Sequence, residues 1–102
     1  MHLLGAFFVG GFMETRVAVI GIIVENKDSI EALNRLLHEY GQYIVGRMGI
    51  PYRERNINII SIAIDAPQDI ISTLTGRIGK LKGIGVKTAY SHKIYKDEEI
   101  SR

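Results

Sequence analysis

Two apolar stretches decide the fold: RVAVIGIIVE at Arg16–Glu25 and INIISIAID at Ile57–Asp65. Both are too short for a buried helix, and both are rich in Val and Ile, whose branched side chains suit the pleated surface of a sheet. Because nearly every residue is apolar, and not only every second one, each stretch predicts a central strand of a sheet.

An amphipathic helix is predicted after each central strand. Asp28 and Glu31 have the spacing of a capping box at the start of the first helix, which Gly41 ends. Pro67 suits the first turn of the second helix, which Gly83 ends. The apolar residues with helical spacing are Ile30, Leu33, Leu36, Leu37 and Tyr40 in the first helix, and Ile70, Ile71, Leu74, Ile78 and Leu81 in the second.

Two weaker strands complete the pattern. Tyr43–Pro51 contains two glycines and ends in a proline, which lacks the N–H donor that a central strand needs, so it belongs at an edge. Val86–Tyr95 has mixed polarity and suits the other edge. The order strand, helix, strand, strand, helix, strand predicts an α+β fold. We expect a ferredoxin-like βαββαβ sandwich, with a four-stranded antiparallel sheet and two helices on one face.

The 102 residues have room for one domain with one core. We expect this domain to span residues 13–96, followed by a charged tail at 97–102. Residues 1–12 are apolar and uncharged, and we expect them to form an extension outside the core, since Met13 offers a second start. Their apolar run is shorter than the roughly 18 residues of a membrane helix, and they lack the charged start and clear cleavage site of a signal peptide.

Composition argues against several kinds of chemistry. The chain has no cysteine, which excludes disulfides, thiolate metal sites and thiol nucleophiles and suits the cytoplasm. A net charge of +2, with acids and bases interleaved, does not indicate nucleic acid binding by this chain alone. His2, His38 and His92 have no metal-ligand spacing, and we find neither a nucleophile–base arrangement nor a Walker-type loop. We therefore expect no enzyme activity, no catalytic residue, no metal and no cofactor.

The two central strands predict self-association. Alternate residues of a strand point to opposite faces of the sheet, and the two helices can cover only one of them. An apolar patch of several hundred Å² would remain in water, more than a monomer usually exposes. We predict a homo-oligomer, a dimer or a tetramer, unless the N-terminal extension folds over this face. The predicted interface residues are Val17, Val19, Ile23, Ile57 and Ile59.

Two segments are candidates for binding an effector. Asn26, Lys27 and Asp28 stand between the first strand and the first helix, where backbone amides can bind an anion; a helix cap with a polar loop is the alternative, and it is favoured. Gly46, Arg47 and Met48 lie in the edge strand, which is either approached closely through its backbone or blunted against aggregation.

The motif Gly76–Gly79 has the GXXG form of some RNA-binding domains, but it continues a helical stripe and is here expected to be accidental. Close helix packing or fraying at the helix end are the alternative explanations of its glycines.

Residues 16–93 resemble a small prokaryotic family named for the regulation of iron-only hydrogenase systems. The segments that carry the resemblance are VAVIGIIVEN (Val17–Asn26), YIVGRMGIPYRER (Tyr43–Arg55), INIISIAIDA (Ile57–Ala66) and LTGRIGKLKGIGVKTAYS (Leu74–Ser91). The resemblance implies a ferredoxin-like fold related to ACT domains and to the C-terminal domain of nickel-responsive regulators, and a regulatory role around hydrogenase genes. The nickel-binding side chains and the ribbon-helix-helix segment of the nickel regulators have no counterpart here, so we expect neither nickel sensing nor autonomous DNA binding.

The expected function is a regulatory or sensing module that acts as a homo-oligomer and binds a small effector or a protein partner. Two alternatives stay open. One is a transcription regulator that contacts DNA through Arg47, Arg53 and Arg55. The other is a purely structural assembly domain.

Overall fold

Antiparallel strands and two helices make up the protein, for which the computed structural model describes residues 8–9 and 12–98 and the side chains of residues 14–96. The helices are α1 (Ile30–Glu39) and α2 (Gln68–Gly79), and short 3₁₀ turns lie at Lys27–Ser29, Gly41–Tyr43 and Arg53–Arg55. The strands are β1 (Phe8–Val9), β2 (Phe12–Val24), β3 (Ile44–Tyr52), β4 (Ile57–Ala66), β5 (Ile84–Tyr90) and β6 (Tyr95–Glu98).

Strand β2 is at the centre of the sheet. It pairs with β4 from Arg16↔Ala66 to Val24↔Asn58, and with β5 on its other side from Ala18↔Tyr90 to Val24↔Ile84. Strand β3 pairs with the outer side of β4, so the order is β3-β4-β2-β5. The two stretches predicted to be central strands are central, and the two weaker strands are at the edges. An α+β fold with an antiparallel sheet and two helices is confirmed.

The strand count differs from the prediction, because the described residues contain six strands and the sequence predicts four. Strand β2 begins at Phe12, and its first four residues pair with β6, two of them with β1 as well. The sequence gives little sign of β6, because lysine, aspartate and glutamate, three of its four residues, are disfavoured in strands. The predicted strand Val86–Tyr95 is too long at its end, since β5 ends at Tyr90 and Tyr95 begins β6.

Both termini take part in these added strands. Of the predicted extension 1–12, Phe8, Val9 and Phe12 lie in paired strands, and the other residues lie outside the described part of the chain. Of the predicted tail 97–102, Asp97 and Glu98 belong to β6, and residues 99–102 lie outside the described residues.

The helices cover one face of the sheet, which we call the covered face. The strands contribute to its core Ala18, Ile20, Ile22 and Val24 from β2 and Ile60, Ile62, Ile64 and Ala66 from β4. The helices contribute Leu33, Leu36, Leu37, Ile71, Leu74 and Ile78, all buried. Alternate residues of the two central strands therefore share one apolar layer with the predicted helical stripes, and burial of this layer is the main favourable term in folding.

Two hydrogen bonds join the turn before β5 to the segment between β2 and α1. Gly83 has a φ of 69°, and its carbonyl accepts a 2.7 Å hydrogen bond from the amide of Glu25. The Ser29 hydroxyl donates to the carbonyl of Lys82 at 2.6 Å. A Cβ at Gly83 would lie 2.5 Å from the Cβ of Asn26, so only glycine fits.

The predicted capping box is wrong in detail. Asp28 lies inside a 3₁₀ turn that precedes α1, and its amide donates to the side chain of Asn26 at 2.9 Å. Ser29 is the N-cap residue of α1, and its hydroxyl is used by Lys82 rather than by the helix. Asn26 is therefore the capping side chain, as its ability to bond its own backbone two residues on allows.

Candidate functional site

The face of the sheet opposite the helices, which we call the open face, is apolar and exposed. It consists of Val17, Val19, Gly21 and Ile23 from β2, Ile57, Ile59, Ser61, Ala63 and Asp65 from β4, Gly46, Met48, Ile50 and Tyr52 from β3, and Gly85, Lys87 and Ala89 from β5. Val19 is 47% exposed and Ile23 is 39% exposed, although both lie on the central strand of the sheet. All five residues of the predicted interface lie on this face.

Strand β3 enlarges the open face in a way that the sequence prediction missed. Met48 lies opposite Ser61, and Ile50 lies opposite Ile59, with exposed fractions of 61% and 50%. The signal is present in the alternation G-R-M-G-I-P-Y, where every second residue from Met48 onward is large and apolar. The glycines and the proline of this segment indicate a weak edge strand, and that interpretation left its apolar alternation unused.

A groove of about 520 Å³ crosses the middle of the open face. Gly21 and Gly85 supply no side chain there, and Ile23 and Ile59 form its apolar walls. Lys87 at the rim is the one charged residue that lines it. A surface with this shape suits apolar side chains of another molecule.

A second cavity, which we call the hairpin cavity, lies where the β3–β4 connection passes the turn before α1. Its volume is about 340 Å³. It is lined by Lys27, Ile30, Pro51, Tyr52, Arg53, Asn56, Ile57 and Asn58. Asn56 adopts the left-handed conformation with φ 57°, and its amide bonds the carbonyl of Arg53 at 3.1 Å, which closes the turn. Two cations and two side-chain amides thus face one small space that has apolar walls.

The six residues predicted to bind an effector fall in different places. Lys27 lines the hairpin cavity, whereas Asn26 caps the turn beside it. Arg47 reaches Asn34 of α1, donating to its Oδ1 at 2.8 Å. Asp28 is exposed on the turn, and Gly46 and Met48 lie on the open-face side of β3.

Tyr52, Asn56 and Asn58 were missed as possible site residues, and Arg53 was considered only for contact with DNA. The segment YRERN (Tyr52–Asn56) appears in the sequence as a polar connection, and Asn58 as part of an apolar strand. An asparagine that closes a two-strand connection is the one local sign of a tight turn there.

The residues considered for nucleic acid binding are also placed. Arg53 and Arg55 lie in the turn after β3, away from Arg47, which is held by Asn34. The GXXG segment forms the last turn of α2, where a Cβ at Gly79 would lie 3.5 Å from Val86. This is an ordinary van der Waals distance, so packing on β5 does not require a glycine at position 79. A Cβ at Gly76 would meet nothing within 4 Å, so packing does not account for that glycine.

Several polar side chains hold the elements together. The Arg16 guanidinium donates to Ser91 O at 2.8 Å and to Gln68 Oε1 at 3.1 Å, and lies 4.8 Å from the centre of the Tyr90 ring. On the outer surface, Arg77 of α2 donates to Glu39 of α1 at 2.8 Å. This hydrogen bond lowers the pKa of the Glu39 carboxyl below its ordinary value and raises the pKa of Arg77.

The described residues give no sign of a metal site or of a membrane span. No group of three or more His, Asp or Glu side chains among them is placed to hold a metal ion. Within the same part of the chain, no helix is long and apolar enough to cross a membrane. His38 and His92 are exposed, and His2 lies outside the described residues.

Comparison with known proteins adds a family to this geometry. Residues 16–88 match the family model described as "TM1266-like: Iron-only hydrogenase system regulator, putative". The solved structure of the uncharacterized protein TM1266 from Thermotoga maritima is 32% identical, with a TM-score of 0.72; the match covers 74% of this chain and 96% of that one.

A formyltetrahydrofolate deformylase from Pseudomonas putida KT2440 is similar in fold alone, with 14% identity, a TM-score of 0.53, and coverage of 72% of this chain and 28% of that one. No curated protein matches the chain significantly.

Proposed function

This chain belongs to the TM1266-like family, and from that premise we propose that it is a regulatory module of a hydrogenase-associated system, acting in the cytoplasm as a homo-oligomer that binds a small effector or a partner protein. We further propose that the fold is ferredoxin-like and that the module catalyses no reaction. The strand order β3-β4-β2-β5, with both helices on one face, supports the first of these assignments.

The open face is the observation that carries the proposal of self-association. Four apolar side chains of this face are between 39% and 61% exposed. They are Val19 and Ile23 on β2, and Met48 and Ile50 on β3. A monomer gains nothing from apolar side chains at the centre of an exposed sheet face, whereas an oligomer buries them.

A second copy of the chain is the occupant that fits this face best. A two-fold interface brings the same patch of each subunit together, so a charged centre would repel itself. The two charged residues of the open face lie away from its centre, since Lys87 is on the edge strand β5 and Asp65 is near the end of the β2–β4 pairing. Four strands about 4.8 Å apart, each with about seven residues, give a footprint of roughly 450 Å². This is less than the roughly 800 Å² per partner of a standard interface, so we expect a dimer that dissociates on dilution.

Two matched valine substitutions test this proposal in the full chain. Val19→Lys places a charge at the centre of the open face, and Val45→Lys makes the same change at a 72% exposed bulge residue of β3. Sedimentation equilibrium over a range of concentrations measures the result. We expect an oligomer for the unchanged protein and for Val45→Lys, and a folded monomer for Val19→Lys, since an unpaired charge is costly to bury. A strictly monomeric unchanged protein at high concentration would overturn the proposal.

A further inference from the structure

We propose that the hairpin cavity binds a small organic anion, a carboxylate or phosphate joined to an apolar group. This inference rests on the proposed effector-binding function and names the chemical class of the effector and its site. The cavity volume of about 340 Å³ is at the lower end of the range of about 300–1,000 Å³ that is typical of ligand sites.

Charge favours an anion. Lys27 and Arg53 both line the cavity, and no carboxylate does. Asp28 and Glu54 are their neighbours in the sequence, but neither side chain is part of the lining. The ion pairs found within the described residues are Arg35–Glu31 and Arg77–Glu39, so neither cation of the cavity is neutralised by such a pair.

The polar groups of the cavity are also free to bind. In the described part of the chain, the side chains of Lys27, Tyr52, Arg53, Asn56 and Asn58 make no hydrogen bond to another residue, whereas the guanidinium groups of the arginines in β2, early β3 and α2 all donate to neighbours. A free guanidinium presents two parallel donors, which match the two oxygens of a carboxylate or phosphate. Convergence of these donors on one space is the arrangement that an oxyanion requires.

The walls of the cavity indicate that the ligand has an apolar part. Ile30, Pro51 and Ile57 are lining residues, and each presents hydrocarbon to the space beside the cations. An inorganic ion would leave this surface in contact with water, whereas an attached ring or short alkyl group would cover it. The turn that carries Arg53 is closed by the backbone hydrogen bond from Asn56, so the backbone from which the Arg53 side chain extends is ordered before the ligand arrives.

The position of the cavity links it to the open face. Tyr52 and Ile57 lie opposite each other at the end of that face, and both also line the cavity. An occupant would therefore contact two residues at the border of the surface proposed for self-association. A ligand that binds one assembly state more tightly than another shifts the equilibrium between them, which is how an effector could act here.

Titration of the ¹⁵N-labelled full chain with phenyl phosphate and with benzoate tests the proposal. Benzyl alcohol is the neutral control, and inorganic phosphate tests the need for the apolar part. We expect saturable shifts of the Asn56 and Asn58 signals with at least one of the two aromatic anions, none with benzyl alcohol, and weaker binding of inorganic phosphate. Which aromatic anion binds more tightly identifies the acid group that the cavity prefers.

Three charge substitutions decide whether the cavity is the site. Lys27→Gln and Arg53→Gln should each weaken binding about tenfold or more, as expected for loss of a charged hydrogen bond. Arg55→Gln is the matched control, because it removes the same charge from the same turn but from a residue that does not line the cavity. No saturable shift with either aromatic anion, equal losses for Arg53→Gln and Arg55→Gln, or equally tight binding of inorganic phosphate would overturn the proposal. The oligomeric state of the same samples is measured separately, so failure of this site and failure of self-association are distinguishable.

Discussion

Ile22 and Ile23 are neighbours in β2, yet their side chains have opposite surroundings. Ile22 is fully buried between the sheet and the helices, whereas Ile23 is 39% exposed on the open face. The same contrast holds between Ile62 and the half-buried residues on either side of it in β4. The central strands are thus apolar towards both faces, but the helices of one chain cover only one of them.

The difference between the faces separates what holds the subunit together from what remains available for a partner. Residues on the covered face act within the chain, so their removal should affect the free energy of unfolding at any protein concentration. Residues on the open face should affect it only in part, and more strongly when the protein is concentrated enough to associate.

The largest expected effect comes from truncating the two isoleucines in parallel. Ile22→Ala removes a fully buried side chain from a packed core and should lower the free energy of unfolding by about 2–5 kcal/mol. Ile23→Ala should cost about 1 kcal/mol in dilute protein, because a large part of its side chain already meets water. Urea denaturation at two protein concentrations measures both losses. Equal losses in dilute protein would show that the two faces do not differ as described.

The difference between the covered face and the open face can be predicted from the sequence only in part. Period-two alternation in RVAVIGIIVE separates Val17, Val19 and Ile23 from Ile20 and Ile22 without any structure. Both sets are apolar, so the structure is needed to show that the helices cover the second set. The sequence did not reveal that β3 extends the open face, because Gly46 and Pro51 made that strand appear merely weak.

The hairpin cavity was less accessible to prediction than the sheet. Lys27 was selected for its place beside a helix start, but its neighbours Tyr52 and Arg53 come from a segment distant in sequence. The β3–β4 register brings that segment to the turn before α1, and register depends on long-range pairing that local preferences do not specify. A helix cap was one of the two interpretations of Asn26–Asp28, and the structure shows a cap there. The capping side chain is Asn26 and not Asp28, whose spacing to Glu31 fits a capping box.

The second largest effect on stability is expected at Gly83, in the turn before β5. Gly83→Ala should destabilise the protein by about 1–2 kcal/mol from the left-handed backbone alone, with a further loss from the contact with Asn26. Gly83→Asn relieves the backbone cost, since asparagine tolerates this conformation, but retains the steric conflict. Thermal unfolding of both variants measures the two terms. Full stability of Gly83→Asn would show that Asn26 moves aside without loss.

Gly76 is the matched control for Gly83, because its replacement by alanine is expected to stabilise the protein and not to destabilise it. A Cβ there meets open space on an exposed part of α2, so Gly76→Ala should raise the free energy of unfolding by about 0.5–1 kcal/mol. Chemical denaturation beside Gly83→Ala checks the difference. A loss of stability in Gly76→Ala would mean that this surface of α2 is in contact with something that the monomer does not contain.

The smallest effect concerns the polar surface of the helix layer, where Glu39 of α1 accepts from Arg77 of α2. The hydrogen bond lowers the pKa of Glu39 in the folded protein, so the folded state binds fewer protons than the unfolded state as this carboxyl titrates. The resulting stabilisation is complete above the ordinary glutamate pKa and is lost as the pH falls through the lowered value.

Both side chains are about half exposed, and Arg77 keeps a 3.1 Å hydrogen bond to the Tyr40 hydroxyl, so the gain in stability is small and screened by salt. The melting temperatures of the unchanged protein and Glu39→Gln should therefore differ slightly at pH 7 and converge at pH 3 or in high salt. A difference that persists at pH 3 would assign the effect of Glu39 to packing between the helices and not to its charge.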